Sequence, residues 1–82
     1  MLEDYVVIDL EMTGLNAKTD AILEVGAVRV RDGRQTETYG AILKCGRELS
    51  ERVVELTGIT PEMAAGGREP EEAMREFFTF LG

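Results

Sequence analysis

The 82-residue sequence has no histidine and no tryptophan. A reaction that needs an imidazole base near neutral pH cannot draw that base from this chain. One cysteine, Cys45, excludes an internal disulfide, and such sparing use suits the cytoplasm. Cys45 reads as a small, half-buried apolar residue rather than a reactive thiol. No apolar run approaches the roughly 20 residues of a membrane span. The opening Met1-Leu2-Glu3-Asp4 lacks the basic, apolar start of a secretory signal. Bases are scarce too, 9 Lys and Arg against 16 Asp and Glu, for a net charge of −7. That excludes a protein that coats nucleic acid by electrostatics alone. It does not exclude one that meets phosphate through bound cations, which locally invert the field.

What is present fits one small α/β domain. Apolar residues make up 44% of the chain, a normal globular share. A chain this short buries a modest part of its surface and is marginal in stability. "YVVIDL", Tyr5 to Leu10, is rich in β-branched residues and does not alternate, as in a strand covered on both faces. Ile22 to Arg31 and Gln35 to Lys44 flank Asp32-Gly33, the dipeptide that favours a two-residue hairpin turn. Arg29, Arg31, Glu37 and Thr38 predict that this hairpin shows one face to water. Three short helices follow. Ser50 caps the first and Gly58 stops it; Thr60 and Pro61 open the second, which Gly66-Gly67 ends. Pro70 with Glu71 and Glu72 opens the third, and Ala73, Phe77 and Phe80, with Met74 and Leu81, give it an apolar stripe. The order is β-β-β-α-α-α.

The chemistry-bearing feature is Asp9-Leu10-Glu11. Residues i and i+2 of a strand share a face, about 6.5 to 7 Å apart along the chain. Asp9 and Glu11 therefore address one region. Hard cations such as Mg²⁺ or Mn²⁺ prefer oxygen ligands of this kind, and two such ions about 4 Å apart can drive phosphodiester hydrolysis. Spacing alone also suits two solvated strand-end charges. The context adds a buried-looking strand before the pair and Thr13-Gly14 after it, where glycine permits close approach of a ligand to the backbone.

"DLEMTGL", Asp9 to Leu15, resembles the first motif, Asp-x-Glu-x-Thr-Gly-Leu, of the DEDD 3′–5′ exonucleases. It is most similar to the branch that holds the proofreading exonucleases of bacterial DNA polymerase III, the epsilon and PolC-like forms. "ILEVGAVRVRDG" resembles that family's second strand, and "LTGIT", Leu56 to Thr60, its Thr-Gly-Ile segment. The resemblance implies that Asp9 and Glu11 are catalytic metal ligands. It implies that Met12, Thr13, Gly14 and Leu15 line the pocket for the terminal nucleotide, with Thr13 at the 3′-hydroxyl and Leu15 on the base. It places Gly58 and Ile59 near the same nucleotide, although a helix stop and a core isoleucine account for them equally well. Glu24 matches a glutamate of the second strand and is expected to be structural.

The implied fold is ribonuclease H-like, a five-stranded mixed sheet in the order 3-2-1-4-5 with helices on both sides. These residues are expected to be its N-terminal part, with an incomplete sheet whose first strand is an open edge with two apolar faces. The family needs two further aspartates and a histidine or tyrosine base from later motifs. Asp20 and Asp32 match neither, and Tyr5-x-x-x-Asp9 has the spacing of the tyrosine-type motif but lies on a strand, not a helix.

The expected function is a two-metal 3′–5′ exonuclease, using Mg²⁺ or Mn²⁺ on single-stranded 3′ ends of DNA or RNA. A polymerase or helicase is the expected partner, with no membrane association. The 82 residues alone are expected to catalyse little and to self-associate. A non-catalytic metal or nucleic-acid binding module stands as an alternative, as does the structural half of a split or swapped dimer.

Overall fold

Positive φ at both Asp32 (52°) and Gly33 (72°) builds the two-residue turn on which the fold is folded back. The computed structural model describes residues 3–14 and 20–82. Strand β1 spans Tyr5–Met12, β2 Ile22–Arg31 and β3 Arg34–Ile42. Helices α1, α2 and α3 span Glu51–Thr57, Pro61–Ala65 and Pro70–Leu81. Both strand pairings are antiparallel, in the order β1-β2-β3.

The helix ends follow local chemistry. Ser50 Oγ accepts from the Val53 amide at 3.2 Å, and Thr60 Oγ1 accepts from the Met63 amide at 3.2 Å. Gly58, at φ 75°, closes α1 with its amide on the Val54 carbonyl.

Two apolar clusters lie on opposite faces of the sheet. On one face Val25, Ala27, Ala41 and Leu43 pack against Ala73 and Phe77 of α3. On the other, Leu23 packs with Ile59 and Ala64, and with Ile42, Cys45, Leu49 and Val53 beside them. Cys45 is half-buried there, as its apolar character suggests. A β-bulge lets β2 serve both. Glu11 pairs with Glu24 but Met12 pairs with Ile22, so Leu23 is the extra residue. The bulge resets the alternation: Ile22 joins the α3 side while Leu23 joins the α1–α2 side.

One sequence expectation is changed here. Arg29 does not belong to a solvent face. Its guanidinium donates to the Phe80 carbonyl, lies 5.0 Å from the Phe80 ring centroid and pairs with Glu37 at 3.4 Å. The cause is the end of α3, which lies over this row and accepts a long, amphipathic side chain.

A polar strap joins sheet and helices. Arg68 donates its amide to the Ile42 carbonyl at 2.7 Å, and its carbonyl accepts from the Lys44 amide at 2.8 Å. The Arg68 side chain reaches Glu72 and Glu76, and with Tyr39 it holds the Glu76 carboxyl below the usual carboxylate range. These ion pairs are exposed and screened, so apolar burial carries most of the stability.

β1 stands at the sheet edge. Val7 and Ile8, on opposite faces, are each 52% exposed, and Leu10 is 41% exposed. The missing alternation of this segment thus belongs to a strand open on both faces within these residues. Val6 of β1 packs against the α3-side cluster, and among the described residues no strand lies beyond β1 in the sheet order. Among the described residues no helix is long and apolar enough to cross a membrane.

Phe77→Ala should cost about 3–5 kcal/mol in urea unfolding, because the ring is 4% exposed and centred in the larger cluster. Gly67→Ala should also destabilise. Its methyl carbon would stand 2.7 Å from the Ile42 carbonyl oxygen and 2.9 Å from the Lys44 nitrogen, both backbone atoms. Stability unchanged in both variants would refute this account of the core and its strap.

Candidate metal and nucleotide site

Asp9 sits opposite Gly26 and Glu11 opposite Glu24, so the two carboxylates share one face of β1 near its C-terminal end. Asp9 is exposed and Glu11 half-buried. Neither side chain has a hydrogen-bond or ion-pair partner among the described residues. Glu24 lies directly across the ladder from Glu11, and like charges so placed repel. Glu24 lines a separate cleft with Ile42, Glu62 and Arg68. The row that starts at Asp9 continues through Gly26 and Gly40, so no side chain stands across the ladder from Asp9 on that face. No group of three or more His, Cys, Asp or Glu residues that could hold a metal ion forms among the described residues. Asp9 and Glu11 by themselves thus do not make up a metal site among the described residues.

The residues after Glu11 are held by a latch. The Thr13 hydroxyl donates to Asp20 Oδ1 at 2.9 Å and accepts from the Ala21 amide at 2.9 Å. The Thr13 amide donates to the Ala21 carbonyl at 2.9 Å. The hydroxyl proton of Thr13 is therefore committed to Asp20, and any substrate contact it makes would be as an acceptor. Gly14 presses against the same carboxylate, since a Cβ there would stand 2.5 Å from Asp20 Oδ2. Asp20 was not singled out from the sequence. Its signal is local: a carboxylate seven residues past Thr13 that closes the loop between them.

A cleft of about 560 Å³ opens beside this segment. Leu10 to Gly14 form one wall, and Ser50, Arg52, Val53, Leu56 and Thr57 of α1 form the other. Met12, Thr13 and Gly14 therefore border a ligand-sized space beside Glu11. Leu15 lies outside the described residues. Gly58 and Ile59 do not line this cleft. Gly58 is the left-handed stop of α1, and Ile59 is 2% exposed in the smaller core. They act on the cleft from behind. The Ile59 amide donates to Thr57 Oγ1 at 3.1 Å, whose proton goes to the Val53 carbonyl at 2.8 Å. The α1 wall as such was missed in the sequence, because Ser50, Arg52 and Val53 belong to no motif and the Leu56–Thr60 segment was read for Gly58 and Ile59. Leu56 is 72% exposed at the cleft.

The model of the exonuclease family matches residues 6–82, nearly the whole chain. The chain belongs to the exonuclease family. Curated relatives agree. It is 46% identical over 77 residues to the DNA polymerase III PolC-type protein of Thermotoga petrophila, covering 94% of this chain and 6% of that protein. It is 40% identical over 78 residues to the DNA polymerase III subunit epsilon of Aquifex aeolicus, covering 95% of this chain and 39% of that subunit. This exonuclease-family chain thus spans well under half the length of those relatives. Among solved structures it superposes on exonuclease I with a TM-score of 0.78 at 22% identity, over 99% of this chain and 19% of that one. It superposes on cell-death related nuclease 4 with a TM-score of 0.79 at 17% identity, over 96% of this chain and 30% of that one. Those likenesses show the fold. Three antiparallel strands followed by helices are the arrangement expected of the N-terminal part of a ribonuclease H-like exonuclease.

Asp20→Ala should release the latch without touching either core. The expected result is amide hydrogen exchange at Thr13 and Ala21 faster by about tenfold, the effect of losing one charge-assisted hydrogen bond. Amides of the β2–β3 hairpin should keep their protection. Unchanged exchange at Thr13 would show that Asp20 does not hold this segment.

Proposed function

We propose that these residues carry the first-motif part of a 3′–5′ exonuclease site acting on single-stranded 3′ ends of DNA. The observation that carries this reading is the unpartnered Glu11 carboxylate in the lining of a cleft walled by Met12, Thr13 and Gly14, with the unpartnered Asp9 two residues earlier on the same strand face. The names of the relatives, DNA polymerase III PolC-type and subunit epsilon, support DNA over RNA and a replication polymerase as partner.

Carboxylate oxygens on one strand face, free of other partners, suit Mg²⁺ or Mn²⁺. Asp9 and Glu11 would hold the ion. A bound divalent cation would supply positive charge at the scissile phosphate and at the attacking water. The rest of the work assigned to this chain is positioning. Gly14 permits close approach of the terminal nucleotide to the backbone, and the Thr13–Asp20 latch holds that backbone. Met12, Val53 and Leu56 offer apolar surface to a base or sugar. Hydrolysis also needs a proton acceptor and further ligands, which these residues do not include. In this reading they come from polypeptide outside the 82 residues, and the 82 residues alone bind without cutting at an appreciable rate.

Titrating Mn²⁺ into isotope-labelled protein tests the reading. Paramagnetic broadening should centre on Asp9 to Gly14. Asp9→Ala and Glu11→Ala should each weaken the apparent affinity by about tenfold or more, the loss of one ligand contact. Broadening elsewhere, or unaffected by both variants, would end any metal role for the pair.

We also assign the free edge of β1 to association with a second strand, because its backbone groups are unpaired and Val7, Ile8 and Leu10 are exposed. Sedimentation of the 82 residues should show concentration-dependent self-association, reduced by Ile8→Lys. A monomer at all concentrations would contradict it.

A further inference from the structure

We propose that Arg52 binds a phosphodiester group of the strand whose 3′ end enters the cleft, at a linkage other than the scissile one. The proposal rests on the exonuclease reading above and adds a register-setting contact to it.

Among the described residues Arg52 is the one cationic residue of the cleft lining, across from Glu11, Thr13 and Gly14. Elsewhere in this acidic chain the cations are largely spent on neighbours. Arg29 pairs with Glu37, Lys44 with Glu69, Arg68 with Glu72 and Glu76, and Arg75 with Glu71. Arg47 also has a partner. Arg31 and Arg34 flank the hairpin turn, beyond the far end of β1 from Glu11. Arg52 makes no ion pair or hydrogen bond among the described residues, although Glu55 follows it at helical spacing. Nor does it pair with Glu11, so both charges of the cleft stay available.

The electrostatics require such a group. A strand approaching a protein of net charge −7 is repelled, and the two carboxylates add to that repulsion until a cation covers them. Metal at Asp9 and Glu11 compensates the scissile phosphate only. The neighbouring phosphates still need a positive partner, and a guanidinium donates to two phosphate oxygens at once. Apolar Val53 and Leu56 on the same helix leave the base side of the nucleotide to one part of the cleft and the phosphate side to Arg52.

The test is fluorescence anisotropy of 5′-labelled octathymidylate with Mn²⁺, at 50 to 200 mM salt, for the 82-residue protein and its Arg52→Gln, Arg52→Lys and Asp9→Ala variants. Arg52→Gln should weaken binding by about tenfold and flatten the slope of log K against log salt by about 0.7, the value of one single-strand phosphate contact. Arg52→Lys should restore part of the affinity. A single methylphosphonate next to the terminal linkage should weaken the wild type but not Arg52→Gln, whereas one at the terminal linkage should weaken both. Affinity that responds to Mn²⁺ and to Asp9→Ala, yet not to Arg52→Gln, overturns the Arg52 assignment and leaves the exonuclease reading standing. Affinity that falls with Arg52→Gln but ignores Mn²⁺ and Asp9→Ala retires the exonuclease reading and keeps the phosphate contact.

Discussion

The antiparallel ladder between β1 and β2 is the interaction on which the candidate site depends. Asp9 and Glu11 are aimed by it and by nothing on the other edge of β1. β2 can serve as the reference because it is paired on both sides and buried at Leu23, Val25 and Ala27. The hairpin turn fixes the β2–β3 register, α3 clamps one face and α1 with α2 the other. Rigidity thus passes from the hairpin outward and reaches the carboxylates last. A functional pair on the least supported strand of its sheet is ordered only as well as that one ladder allows.

Much of this was legible in the sequence because each element is specified locally. Asp32-Gly33 can hardly be anything but a tight turn, and Ser50, Gly58, Thr60 and Pro70 mark helix ends through their own backbone chemistry. The carboxylate pair was legible because a strand has period 2. Tertiary choices were not. The bulge at Leu23 has no local marker, since Ile22 and Leu23 are equally apolar and only packing decides which face each takes. Arg29 read as a solvent residue because a charge in an alternating pattern looks exposed, and the arrival of Phe80 above it is non-local. The α1 wall was invisible for the same reason: cleft walls are made by elements distant in sequence.

The acidic balance of the chain has a spatial logic. Three of its nine bases, Lys44, Arg68 and Arg75, tie carboxylates at the start of α3 and within it, two of them beside the end of β3. That spends cations on holding helices to the sheet and leaves the carboxylate face of β1 without internal neutralisation.

The row Asp9–Gly26–Gly40 has one more consequence. With no side chain across the ladder from it, the exposed Asp9 carboxylate is not held in place by cross-strand packing. Whatever captures it must immobilise it, and side-chain ordering of this kind costs up to about 1 kcal/mol. Under the proposed reading the pair would be under-preorganised, weak for an ion alone and tighter for one that arrives with a phosphate to share the cost. The two glycines would thus favour joint capture of ion and nucleic acid.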